Sequence, residues 1–208
     1  MSTTTLLVID LQNDYFPGGA YPLVGADDAV AVARAVLDRF RADGAPVVHM
    51  QHVWDAPDAA FMRPGTPGIE IHPLVQPAGG ETLIQKEHPN SFLETDLAAK
   101  LAELNAERLV VMGMMTSMCV DASVRAALDL GFEAVVVADA CAAPDLSYGE
   151  RVVDGLSVHT AFLAALRDAG ADVVTAADLV APSPMPATIR LDADAAGRDP
   201  DGRVLPVT

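Results

Sequence analysis

Cys119 stands where the apolar run Arg108-Leu109-Val110-Val111-Met112 gives way to the helical spacing of Ala122, Ala126, Ala127 and Leu130. A thiol at a helix start meets unpaired N–H groups and the positive end of the helix dipole. That setting favours a thiolate and offers donors to a developing oxyanion. Most free cysteines are instead small buried hydrophobes, and Cys119 taken alone carries no more than that reading. Two further groups change the balance. Asp10 closes the apolar run Thr5-Leu6-Leu7-Val8-Ile9, and Lys86 closes Thr82-Leu83-Ile84-Gln85. Singly, Asp10 reads as a strand-end turn residue or helix cap and Lys86 as a solvated charge. Jointly, a carboxylate, an ammonium and a thiol at C-terminal strand ends supply a base, a charge stabiliser and a nucleophile at the sheet edge where ligands bind.

The elements that must bring these groups together alternate along the chain. Strands are predicted at 5–9, 46–51, 82–85, 108–113, 133–138 and 171–175, and helices at 27–43, 94–104, 119–130 and 148–169. Such alternation implies right-handed crossovers and a mostly parallel six-stranded sheet covered on both faces, a three-layer α/β/α sandwich of the α/β class. Asp55 to Gly80 breaks the rhythm with prolines and glycines; ordered loops of that length are often lids or binding loops, and this one is expected to border the pocket. After Val180 the pattern stops at Ala181-Pro182-Ser183-Pro184-Met185-Pro186. The reading is one domain over 1–180 and a C-terminal extension over 181–208, extended or disordered by composition.

The chain also resembles the isochorismatase-like cysteine hydrolases, a Rossmann-like family that includes nicotinamidases and N-carbamoylsarcosine amidohydrolases, over about residues 5 to 180. The motifs that carry the resemblance are Leu7-Val8-Ile9-Asp10-Leu11-Gln12-Asn13-Asp14, Gly65-Thr66-Pro67-Gly68, Lys86 with Asn90-Ser91-Phe92, and Gly113-Met114-Met115-Thr116-Ser117-Met118-Cys119-Val120. Four in one order are specific, whereas any one is weak. The resemblance implies a triad of Asp10, Lys86 and Cys119, a cis peptide between Met114 and Met115, and an oxyanion hole made by the N–H groups of Met115 and Cys119. It implies hydrolysis of a carbon–nitrogen bond in a small amide, carbamoyl or lactam substrate through a thioester. Two rivals stay open: vinyl-ether hydrolysis of the isochorismatase type, where the cysteine position need not be nucleophilic, and a catalytically silent binding protein on the same fold. Retention of Cys119 favours acyl transfer. A live site is expected to show a thiol alkylated well below the free-thiol pKa.

Other positions divide between site and scaffold. Phe16, Trp54 and Phe61, on loops at the expected sheet edge, and Phe92, after Lys86, are candidate apolar pocket walls, with loop packing as the alternative. Gln12, Asn13, Asn90 and Ser91 are either supports for the triad or turn formers, and Thr116 or Ser117 is expected to cap the helix that follows. Nicotinamidases carry an Asp-x-His cluster after the second strand; here the region reads Val47-Val48-His49-Met50-Gln51-His52-Val53-Trp54-Asp55. His49 and His52 are three apart and so leave a strand on opposite faces. His49, His52, His72, His88 and His159 are therefore read as hydrogen-bonded or exposed, no metal and no cofactor are expected, and nicotinamidase activity becomes a poorer fit. Cys141 lacks a neighbouring base motif and reads as buried and structural.

Composition narrows the class of partner. Of 208 residues 51% are apolar, enough for one substantial core. The formal charge of −16 opposes binding to nucleic acid, which needs a basic face. No apolar run reaches membrane-spanning length, and Met1-Ser2-Thr3-Thr4-Thr5 lacks a signal pattern. Two cysteines without a disulfide framework fit a reducing, cytoplasmic setting. A small-molecule substrate and, by the resemblance, a homo-oligomer (dimer or tetramer) are expected.

Overall fold

A computed structural model describes residues 3–180; the expected C-terminal extension over 181–208 lies outside the described residues. In chain order the elements are β1 (Thr3–Ile9), α1 (Ala26–Ala42), β2 (Val47–His52), β3 (Thr82–Lys86), α2 (Leu97–Glu103), β4 (Ala106–Met114), α3 (Asp121–Asp129), β5 (Glu133–Ala142), β6 (Leu146–Tyr148), β7 (Arg151–Val153), α4 (Gly155–Asp168) and β8 (Asp172–Val174). The main sheet has six strands in the order β3-β2-β1-β4-β5-β8, every pairing parallel.

The strands are apolar almost throughout because helices cover both faces. Alternate residues of β1 separate accordingly. Leu6 and Val8 pack with Val110, Met112, Val135 and Val137 against Ala29, Val30, Ala33, Val36 and Leu37 of α1. Leu7 and Ile9 pack with Val48, Met50, Leu109, Val111 and Val136 against Leu97 and Leu101 of α2, Val124 and Ala127 of α3, and Leu166 of α4. The result is the three-layer α/β/α sandwich expected from the alternation. No helix among the described residues is long and apolar enough to cross a membrane.

The expected helix at 148–169 is the clearest departure. Its first third is an antiparallel hairpin, β6 with β7, turning at Gly149 with φ of 60°, and α4 starts only at Gly155. Local chemistry explains the break. Val152 and Val153 are β-branched, and Asp154 caps α4 by accepting the Ser157 N–H at 2.9 Å. The 119–130 helix differs too: Thr116–Val120 is a π-helical turn, and the α-helix proper begins at Asp121.

At Gly113 the two central strands come unusually close. A Cβ there would lie 1.9 Å from the Ile9 carbonyl oxygen, and its φ is 139°. Only glycine allows β4 to pass so near the end of β1. That approach brings the segment after β4 beside the segment after β1.

Candidate active site

Each candidate side chain ends a strand or follows one closely. Asp10 follows β1 with φ of 49°, a left-handed conformation that Asp tolerates better than most residues, while its N–H donates to the Met50 carbonyl at 3.1 Å. Lys86 ends β3 in register with His52, which ends β2. Cys119 follows β4 in the π-helical turn, where the N–H groups of Met118 and Val120 both donate to the Met115 carbonyl, at 3.0 and 3.1 Å. The Met114–Met115 peptide is cis.

These ends converge. Lys86 Nζ lies 2.7 Å from Asp10 Oδ2 and 3.0 Å from His52 Nδ1, and donates to the His88 carbonyl at 3.0 Å. Cys119 Sγ lies 3.9 Å from His52 Nδ1, which lies 3.9 Å from Asp10 Oδ2. Asp10, Cys119 and Lys86 expose only 0%, 1% and 2% of their surfaces, so their charges interact through protein rather than water. The Asp10–Lys86 contact falls outside hydrogen-bond angles despite its length, which leaves both Asp10 oxygens without a hydrogen-bond partner among the described residues.

Charge counting then fixes the resting state. One ammonium can neutralise one buried anion, not two. Burial first, and the Asp10 charge second, push the Cys119 thiol well above its usual range, with Lys86 opposing them. For Lys86, burial alone would lower the pKa, yet the attraction of Asp10 and Cys119 outweighs it and the ammonium is held above its ordinary value. The standing thiolate expected from a helix start is thus corrected. The sulfur sits in a sealed π-helical turn beside a carboxylate, and burial outweighs the helix dipole, so the thiol form of Cys119 is favoured.

A metal fits this donor set poorly. Ligand atoms of Asp10, His52 and Cys119 all lie within 4.8 Å of one another, a cluster compact enough to hold an ion. The ammonium of Lys86, in contact with two of these three groups, already supplies the positive charge they share. A divalent ion would meet that ammonium at contact distance.

The Isochorismatase domain family model matches residues 4–178. The chain belongs to the isochorismatase family. It is 48% identical over 173 residues to the uncharacterized isochorismatase family protein YddQ of Bacillus subtilis, covering 83% of this chain and 96% of that one. A crystal structure of an isochorismatase hydrolase from Oleispira antarctica superposes with a TM-score of 0.83 at 44% identity, over 87% of this chain and 97% of the other. The ureidoacrylate amidohydrolase RutB of Rhizobium rhizogenes is 27% identical over 172 residues, 67% of this chain and 70% of its own length. As a member of this family the chain is a hydrolase.

Around the reactive centre, the family-like motifs act as struts. Gln12, fully buried, accepts the His52 N–H at 2.8 Å and donates Nε2 to the carbonyls of His52 at 2.9 Å and Ile69 at 2.8 Å. Asp14 accepts the N–H groups of Met62 at 2.6 Å and Ala20 at 3.1 Å, and Gly68 packs so tightly on its carboxylate that a Cβ would lie 1.9 Å from Oδ1. Asn13 donates to the Pro67 carbonyl at 3.0 Å. The 55–80 segment is therefore tied to the first strand's end at several points. Asn90 accepts the Phe92 N–H at 2.9 Å, the turn-forming alternative. Ser91 and Ser123, both buried, join their hydroxyls at 2.7 Å and so connect the segment after β3 to α3. Thr116 does not cap a helix; its hydroxyl meets His159 Nδ1 of α4 at 2.8 Å.

The aromatic candidates scatter. Phe16 packs on His72 with ring centres 4.2 Å apart, and both line a cavity of about 760 Å³ together with Phe61 and Arg63. Trp54 meets Phe61 edge-on at 5.4 Å. Phe92 stacks on Phe132 at 6.0 Å within the second core. A smaller cavity of about 200 Å³ is bordered by Val53, Lys86, His88 and Glu94. Cys141, on β5 beside Gly113, is buried and free, its thiol pushed up to about 12 chiefly by burial. The histidines all have partners. His49 meets Glu81 at 2.9 Å, His72 accepts the Leu74 N–H at 3.3 Å, and His88 meets Glu94 at 3.2 Å.

His52 is the residue that the sequence reading missed. His49 and His52 leave β2 on opposite faces, as their spacing predicts, and that spacing speaks only to metal binding. The available signal was that His52 ends a strand, as Asp10 and Lys86 do, and so reaches the same sheet edge.

Proposed function

We propose that this hydrolase cleaves a carbon–nitrogen bond of a small amide, carbamoyl or lactam through a thioester on Cys119. The observation that carries the reading is the convergence of Asp10, Lys86 and Cys119 in one sealed neighbourhood, with an ion contact of 2.7 Å at its centre. The 27% identity to an enzyme described as a ureidoacrylate amidohydrolase supports the same bond class.

Asp10 takes the Cys119 proton as the sulfur attacks the carbonyl carbon, so the net charge of the buried group of side chains is unchanged and the burial penalty of a free thiolate is avoided. Lys86 stays beside the charge as it moves from carboxylate to sulfur. The new oxyanion needs donors; the N–H groups of Met115 and Cys119 are the pair proposed, and loss of one such donor costs about 3 to 4 kcal/mol of barrier. On collapse of the tetrahedral intermediate the carbon–nitrogen bond breaks, and the nitrogen leaves with the proton from Asp10. Water then attacks the thioester while Asp10 accepts its proton, releasing the acid and restoring the thiol. The proposed entry side is that of Val53, Lys86 and His88, which border the smaller cavity. The proposed setting is cytoplasmic and the proposed state a homo-oligomer.

An ammonia-release screen across nicotinamide, carbamoyl amino acids, ureides, biuret and lactams, with intact-mass trapping of the acyl-enzyme, tests the reading. A mass increment on Cys119 that Cys119→Ser abolishes is expected. Turnover of a vinyl ether that survives Cys119→Ser would overturn it.

A further inference from the structure

His52 touches each member of the reactive group, yet the acyl-transfer chemistry above gives it nothing to do. Its Nδ1 lies 3.0 Å from Lys86 Nζ and 3.9 Å from Cys119 Sγ. An ammonium can only donate, so Nδ1 must be the accepting nitrogen and the ring proton must sit on Nε2. Burial, the largest influence, lowers the His52 pKa; Asp10 opposes it, while Lys86 and His88 add to it, and the ring is neutral at pH 7. Those four groups are the charged and titratable side chains facing the ring: Asp10 from β1, Lys86 from β3, His88 after it, and Cys119 from the π-helical turn.

The far nitrogen is differently placed. The His52 side chain is 12% exposed, against 0% for those of Asp10 and Lys86. Among the described residues Nε2 has no hydrogen-bond partner, and the partial exposure of the side chain leaves this nitrogen available to a substrate atom. Meanwhile Gln12 clamps the His52 backbone through both its N–H and its carbonyl. The arrangement is a rigid ring, fixed in one tautomer by the catalytic ammonium, presenting an N–H on the wetter side of the nucleophile.

We infer that His52 Nε2–H is a substrate-orienting donor, which selects amides carrying a second hydrogen-bond acceptor beside the scissile carbonyl. This rests on Cys119 being the nucleophile. A carbonyl under attack sits within about 3.5 Å of the sulfur. The acceptor therefore lies on the His52 side of that carbonyl, a few bonds away. A simple monoamide leaves the donor to water; an acyl urea, an imide or an N-acyl carboxylate fills it.

The test uses two alkylating probes whose haloacetyl carbonyl takes the place of the scissile one: chloroacetamide, with one acceptor, and chloroacetylurea, with two. In each case the Cys119 sulfur forms a bond to the methylene carbon, chloride leaves with the bonding pair, and the thiol proton passes to Asp10. Labelling of native full-length protein is followed by peptide mass spectrometry, with Cys141 as an internal control and free cysteine correcting for intrinsic reactivity. The expected corrected ratio of Cys119 rates, chloroacetylurea over chloroacetamide, is about tenfold, the worth of roughly one net hydrogen bond. His52→Asn places an amide oxygen near the Nδ1 position but has no group at Nε2, and its ratio should fall to about one. His52→Gln places an amide N–H near the Nε2 position and should restore a ratio of several fold, which a merely structural role would not produce. A wild-type ratio near one, or a ratio that His52→Asn retains, overturns the inference. Cys119 inert to both probes while Cys141 reacts overturns the nucleophile itself, a distinct outcome.

Discussion

Replacing Lys86 by methionine isolates the term on which the site depends. Asp10 and Lys86 have fully buried side chains 2.7 Å apart. At an effective dielectric of about 20, unit charges at that separation attract by about 6 kcal/mol. Desolvation of both groups offsets part of this, but Lys86→Met removes the attraction and leaves the carboxylate stranded in the core. Breaking a buried pair from one side costs about 3 to 5 kcal/mol. For a chain of this size that corresponds to about 6 to 20 °C in Tm. The cost should shrink on acidification, because a protonated carboxyl is neutral and tolerates burial, whereas the stranded anion does not. Urea and thermal unfolding of wild type and Lys86→Met at pH 7 and pH 5 measure this. Asp10→Asn combined with Lys86→Met supplies the control, since asparagine removes the stranded charge and accepts the positive φ at that position. The double variant should be more stable than Lys86→Met at pH 7 and should lose its pH dependence. A Lys86→Met loss below about 1 kcal/mol, or a double variant no better than the single one, would refute the view that this pair is a mutually dependent buried charge couple.

Other consequences follow from individual contacts. Gly68→Ala drives a methyl group into the Asp14 carboxylate and should break its bonds to Met62 and Ala20, costing about 2 to 4 kcal/mol and loosening the 55–80 segment, read as a lower Tm and faster proteolysis there. Glu81, hydrogen-bonded by Arg41 at 2.7 Å and 2.8 Å, is lowered from 4.5 to about 2, chiefly by that guanidinium. Its contribution is present above about pH 4.5 and is lost as pH falls toward 2; after a discount for the partly exposed Arg41 it is about 1 to 3 kcal/mol, and Glu81→Gln should flatten unfolding free energy over that window. Because Cys119 is held above its usual pKa, its alkylation by iodoacetamide should show no titration step below about pH 8 in the empty site; a step near pH 6 would restore the standing thiolate. Thr116→Val leaves a half-buried His159 without its hydroxyl partner and should lower kcat more than it raises KM, measured on any substrate the ammonia screen identifies.

The amino-acid order by itself determined the layered fold and the placing of Asp10 and Lys86 at strand ends. Apolar runs such as Leu6 to Ile9 and Leu109 to Met112 need cover on both faces, and a polar residue directly after such a run lies at the sheet edge whatever the rest of the chain does. Helix and hairpin at 148–169 are harder to separate, because two β-branched valines and a capping aspartate within a few residues compete on nearly equal local terms. What only the tertiary structure decided was charge state and company. Burial depth sets whether Cys119 rests as thiol or thiolate, and no periodicity reports depth. His52 joins the site through the pairing of β2 with β3 and β1, which puts residues 42, 34 and 67 positions apart in one neighbourhood (52 − 10, 86 − 52 and 119 − 52). Its partner, an ammonium, then selects the tautomer, a choice that exists only once the two strand ends lie side by side.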